Sequence, residues 1–155
     1  MTNKKRAHIN KQLWDRANNS HRQRWQSLSQ KGHDFYLNEQ LSKDEIDSLE
    51  EAGMPTFTIN RITPIIEIMK YFVTANSPRW KAVGVTGDDV DIAQVHSEIA
   101  DYCWHLSNGK SVYSQVILDS LTKGIGYFLV DVDGDADRGM GEVQFSRIDP
   151  YDVYV

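Results

Sequence analysis

Gly124-Ile-Gly-Tyr-Phe-Leu-Val-Asp-Val-Asp133 runs through Gly-Asp-Ala-Asp-Arg-Gly-Met-Gly141 into Glu142-Val-Gln-Phe-Ser-Arg-Ile148. The first part is rich in β-branched and aromatic residues, the middle in Gly and Asp, and the last alternates at Val143, Phe145 and Ile148. This pattern predicts a strand over residues 127–132, a solvated turn over 133–141 and a returning strand over 142–148. The pair Gly124 and Gly126 precedes a strand and does not open a helix, so it cannot seat a phosphate on a helix N-terminus.

Upstream of this hairpin the period changes from two to about 3.6. Val112, Tyr113, Val116, Ile117 and Leu121 mark a helix that Ser111 caps and Gly124 ends. Before it, Asp88 or Asp89 starts a helix with Ala93, His96, Ile99, Ala100, Cys103 and Leu106 on one face, closed by Asn108-Gly109. On that face His96 reads as a hydrogen-bonded core residue and Cys103 as a buried packing residue. Residues 80–85 alternate weakly and predict a strand. Ile62, Ile65, Ile66, Ile68, Met69, Phe72 and Val73 surround a helix that Asn60 or Thr63 caps, with Pro64 in its first turn. Apolar on most sides, it is expected to be a central core element. Ser42-Lys-Asp-Glu45 is a capping box, and Gly53 and Pro55 stop the short helix it begins. Several helices followed by a β-hairpin or meander argue for an α+β fold.

The first 30 residues read as a separate basic amphipathic arm, and residues 31–155 as the α+β body. Ile9, Leu13, Ala17, His21, Trp25 and Leu28 recur at helical spacing, with Trp14 beside the stripe. Lys4, Lys5, Arg6, Lys11, Arg16, Arg22 and Arg24 against Asp15 give residues 1–25 a charge of +6, so the remainder of this −5 chain carries −11. The arm is expected to dock on the body or on a neighbouring subunit; gripping a nucleic-acid backbone is the alternative use of the same charges.

The composition, 25% charged and 40% hydrophobic, is that of a soluble globular chain about one domain long. A lone cysteine allows no intrachain disulfide. Asp131, Asp133, Asp135 and Glu142 have the spacing of calcium-loop ligands, but Ala136 stands where that loop needs Gly and a β-rich segment replaces the entering helix. We read the 131–142 loop as a turn; a metal-binding or nucleic-acid-binding module using it or the basic arm is the alternative reading of function. His8, His21, His33, His96 and His105 form no ligand pair at i, i+4, and Glu50 and Glu51 diverge by about 100° on their helix. No catalytic, cofactor-binding or metal residue is assigned, and an enzyme is not indicated. The last ten residues read as strand, turn and the start of another strand, for which more of the same polypeptide is the expected partner.

Phe35-Tyr-Leu-Asn-Glu-Gln40, the short acidic helix ending at Ala-Gly-Met-Pro55, and Thr58-Ile-Asn-Arg-Ile62 resemble, in that order, the start of tailed-bacteriophage portal proteins of the P22-like group. Ser120-Leu-Thr-Lys-Gly-Ile-Gly-Tyr-Phe-Leu-Val130, the acidic turn, and Ser146-Arg-Ile-Asp-Pro-Tyr-Asp-Val-Tyr154 look like the same family. The likeness covers about residues 22–155. Portal subunits are several times longer, so the resemblance implies the N-terminal, wing-region part of one. It further implies a structural dodecamer, a ring of twelve subunits at the capsid vertex, through which double-stranded DNA is packaged and ejected. The implied partners are other copies of the chain, capsid or scaffolding protein, the terminase large subunit, head-completion or tail adaptor proteins, and the DNA in the channel, with no membrane. The implied location is the virion, after assembly in the host cytoplasm.

Overall fold

A computed structural model describes residues 3–154. It shows an α+β fold in which helices precede a two-stranded antiparallel hairpin. The helices are α1 (Asn3–Ala17), α2 (Ser20–Leu37), α3 (Lys43–Glu51), α4 (Ile62–Thr74), α5 (Val90–Leu106) and α6 (Gly109–Lys123). The strands are β1 (Tyr127–Asp133) and β2 (Glu142–Ile148), joined through a short helical turn, α7 (Ala136–Gly139). The ladder pairs Tyr127 with Ile148 and Asp133 with Glu142, so both expected strands form.

Local chemistry sets most helix ends. Ser42 and Glu45 close the expected capping box on α3, and Gly53, at φ 68°, ends that helix in a left-handed conformation. The Gly53 and Met54 N–H groups donate to Glu50 and Leu49, satisfying two last-turn carbonyls. Asn38 plays the same part for α2, its N–H reaching Phe35 and that of Glu39 reaching Asp34. The Asn60 side chain accepts from the N–H groups of Ile62 and Thr63, each at 3.0 Å, and so caps α4. Its amide also donates to the Tyr36 carbonyl at 3.1 Å, as does the Thr63 hydroxyl, which ties the start of α4 to the end of α2.

The core lies where α5 and α6 meet the hairpin. Trp104 and Val116 are its buried apolar side chains, and Trp104 is flanked by Phe128 and Phe145 with ring centres 6.4 and 5.5 Å away. Tyr113 stacks on Phe128 and Trp80 on Phe145. Two glycines permit this packing. A Cβ on Gly109 would fall 2.2 Å from the Trp104 indole, and one on Gly126 would fall 2.3 Å from the Val116 carbonyl oxygen. Gly126 thus lets the hairpin approach α6 closely.

Several expectations are corrected. The arm is two helices, because Asn19 caps α2 by accepting from the Arg22 N–H and breaks the run after Ala17. Residues 80–85 form no strand; the Ala82 N–H goes to the Ser97 hydroxyl instead of a ladder. Helix α4 is not a central core element: Ile65, Ile68, Met69 and Phe72 face outward, since its neighbours α2 and α6 cover only the other side. On α5 the covered line is Ala93, Ser97, Ala100 and Trp104, so His96, Ile99 and Leu106 are exposed and Cys103 is half-buried. Helix α6 begins at Gly109, not at Ser111, and left-handed Asn108 links it directly to α5. After β2 the chain makes a turn at 149–152, and the described residues beyond it form no second strand.

Candidate assembly surface

Two features stand out: a polar knot that fixes the chain's last turn, and wide apolar faces left open.

The knot is built on α6. Asp119 and Lys123, one helical turn apart, are both buried, and Lys123 Nζ lies 3.2 Å from Asp119 and 3.0 Å from Asp149. Arg147, near the end of β2, donates through Nε and a terminal nitrogen to the two Asp119 oxygens and reaches Asp149 at 3.2 Å. Two carboxylates thus face two cations, and each buried charge has a partner. Burial of Asp149 opposes its ionisation. The Tyr151 N–H and the contacts and charges of Lys123 and Arg147 outweigh that and hold its carboxyl below its ordinary value. The bonds from Arg147 to Asp119 raise the guanidinium's affinity for its proton against the effect of burial.

The knot continues outward into α2. Lys123 Nζ sits 4.8 Å from the centre of the Tyr151 ring, whose hydroxyl shares a 2.9 Å hydrogen bond with buried Ser29. The Trp25 indole donates to the Lys123 carbonyl at 2.9 Å, and Pro150 is fully buried. Arg22 donates to the carbonyls of Tyr151 and Val153 at 2.7 and 2.5 Å. The Asp149-Pro150 step and the residues after it are therefore strapped to the N-terminal helices. Sequence reasoning assigned none of this. The Asp119–Lys123 spacing was a visible signal, whereas Arg147 and Asp149 reach it only through the hairpin, and Arg22 was one of seven undifferentiated arm cations.

The residues singled out in the sequence lie apart from the knot or at its edge. Arg22 and Trp25 of the arm are used inside the chain, while Leu13 and Leu28 of the same stripe are 58% and 60% exposed. Asp131 and Asp133 belong to β1, and the Asp133 carboxylate accepts from the Asp135 N–H within the turn. Left-handed Asp137, Arg138, Gly139 and Gly141 carry the chain around. Among the described residues no three His, Cys, Asp or Glu side chains gather as a metal-holding group.

The open surface is extensive. Along α4, Ile65, Ile68, Met69 and Phe72 recur at helical spacing on the outward side. Met54, Phe57 and Ile59 are exposed between α3 and α4. A groove of about 650 Å³ is lined by residues 79–84 and α5, among them Trp80, Ala82, Val90 and Ala93. Isolated exposed apolar residues are ordinary, and runs of this kind make these faces the candidate contact surface. No described helix is long and apolar enough to cross a membrane.

A protein-family model described as phage P22-like portal protein matches residues 12–155 of this chain. Comparison with curated proteins found no match, and comparison with solved structures found none.

Proposed function

The chain belongs to the phage P22-like portal protein family, and on that premise we propose that it is part of a structural subunit of the portal ring through which double-stranded DNA enters and leaves the capsid. Portal proteins oligomerize and are associated with the virion, and the family is structural. The proposal extends to a ring of twelve at one capsid vertex. It also includes contacts with capsid or scaffolding protein, with the terminase large subunit and with head-completion or tail adaptor proteins.

The observation that carries the reading is the family match over residues 12–155. The open apolar faces support it physically, because a ring subunit must keep such faces for its neighbours. The knot supports it too, since strapping the Asp149-Pro150 step to α2 and α6 holds the hairpin in a fixed pose on the helices. The net negative charge is compatible with DNA passing without tight phosphate contacts. Electron microscopy of the full-length protein tests the proposal: rings with twelvefold symmetry are expected, and a population of stable monomers at micromolar concentration overturns it.

A further inference from the structure

We propose that α1 of one copy docks on the acidic face of α3 in the next copy, a head-to-tail contact that rests on the portal reading and names the surfaces it uses. Helix α1 carries Lys4, Lys5, Arg6, Lys11 and Arg16 against Asp15, a net charge of +4 in fifteen residues. Helix α3 carries Asp44, Glu45, Asp47, Glu50 and Glu51 against Lys43, a net charge of −4 in nine. All of these side chains are exposed, and none forms an ion pair among the described residues. The two most densely and oppositely charged helices thus have no ion pair among the described residues.

Their faces match in more than sign. Trp14 turns toward its own chain, its ring 4.5 Å from that of Tyr154. Lys5, Ile9, Leu13 and Arg16 fall at i, i+4, i+8 and i+11, a different side of the helix, where two exposed apolar residues lie between cations. On α3, Ile46 and Leu49 are half-buried, while Asp44, Asp47 and Glu51 recur at i, i+3 and i+7 on the opposite side. Exposed Met54, Phe57 and Ile59 follow directly in the chain and supply apolar surface beside the acidic one. A contact joining two different patches of the same chain leaves each copy one donor and one acceptor surface, which is the requirement for a closed ring.

Carbodiimide coupling of the full-length protein, mixed from isotopically light and heavy subunits, tests the contact. Mixed-isotope links from Lys5 to Asp44, Asp47 or Glu51 are expected. Their absence, or links confined to one copy, overturns the inference. The oligomer mass of the same sample keeps the two readings apart: a ring without these links sinks only the α1–α3 contact, and a monomer sinks both. As a second measurement, Lys5→Glu with Arg6→Glu is expected to weaken self-association on the order of tenfold, and adding Asp47→Lys with Glu51→Lys to restore it. Failure of that rescue, or loss of DNA retention with unchanged self-association, assigns the basic face elsewhere and overturns the proposal.

Discussion

The Arg22 guanidinium lies 3.8 Å from the centre of the Tyr154 ring while its nitrogens donate to the carbonyls of Tyr151 and Val153. One side chain thus satisfies two backbone acceptors that a strand would otherwise have offered to a ladder. A planar fork does this and a point charge does not. Arg22→Ala is expected to cost about 1.5–3 kcal/mol, the range for hydrogen bonds to charged groups. Arg22→Lys should recover less than half of that loss. Chymotryptic cleavage after Tyr151, followed alongside thermal unfolding, should accelerate in both variants; unchanged cleavage would show that the strap does not hold the segment.

Lys123 is expected to give the knot its largest stability effect, because it serves Asp119 and Asp149 together and is itself buried. Lys123→Met keeps the aliphatic volume but leaves Arg147 alone against two carboxylates. Removing one partner of a buried charge set costs about 3–5 kcal/mol. Urea unfolding should therefore move to a markedly lower midpoint with little change in slope. A loss below about 1 kcal/mol, the range of surface pairs, would mean the cluster is solvated in solution.

The same knot sets an acid limit. The folded-state pKa of Asp149 is lowered, so its contribution to stability is present above the ordinary value of 3.8 and is lost as the pH falls through the folded value. Stability measured by urea unfolding should decline on acidification below that ordinary value. Asp149→Asn should be less stable at neutral pH and show a shallower acid decline. A parallel decline in parent and variant would remove Asp149 from the acid response.

How much of this was readable beforehand followed from how local each device is. The Ser42–Glu45 box and the left-handed Gly53 involve residues within four positions, so spacing alone announces them, and it narrows the α4 cap to Asn60 or Thr63. The hairpin was equally legible, since β1 and β2 supply each other's partner across a Gly- and Asp-rich turn. Residues 80–85 misled because alternation records which faces differ, not whether a neighbouring strand exists. The outward side of α4 misled for a related reason: an all-round apolar helix must be covered, but the pattern cannot say that α2 and α6 cover only half. Arg22, Arg147 and Asp149 were unreadable as a site because folding, not spacing, brings them to Tyr151 and Lys123. The portal family, by contrast, was legible from the ordered motifs around Pro55, Ile62, Gly126 and Pro150.

Tyr36 offers a spectroscopic check on the α2–α4 junction. Its hydroxyl donates to Glu67 at 2.6 Å; that bond, with burial and the Glu67 charge adding, pushes the phenol up from 10.0 to about 12. Because the folded value is raised, the Tyr36 contribution to stability is present below 10.0 and is lost as the pH climbs through about 12. Glu142, through its charge and its hydrogen bond, also raises Tyr102. Phenolate absorbance should therefore show a step near 12 that Tyr36→Phe removes and Glu67→Gln shifts toward 10.0, with the Tyr102 step left in place. A step near 12 that survives Tyr36→Phe would place it on another residue.

The outward face of α4 separates residues that fold this chain from residues that it leaves exposed. Phe72 is 70% exposed and Trp104 only 7%, although both are large aromatics in helical apolar stripes. Trp104→Ala empties the site that Gly109, Phe128 and Phe145 close around, at a cost of about 3–5 kcal/mol. Phe72→Ser removes surface that this chain leaves in water, so its unfolding free energy should stay within about 0.5 kcal/mol of the parent. The same substitution should raise the concentration at which the protein self-associates or aggregates, because it breaks the run of Ile65, Ile68, Met69 and Phe72. Urea unfolding and light scattering on the two variants measure both halves. A Phe72→Ser loss approaching that of Trp104→Ala would restore α4 to the core and remove its outer face from the assembly surface.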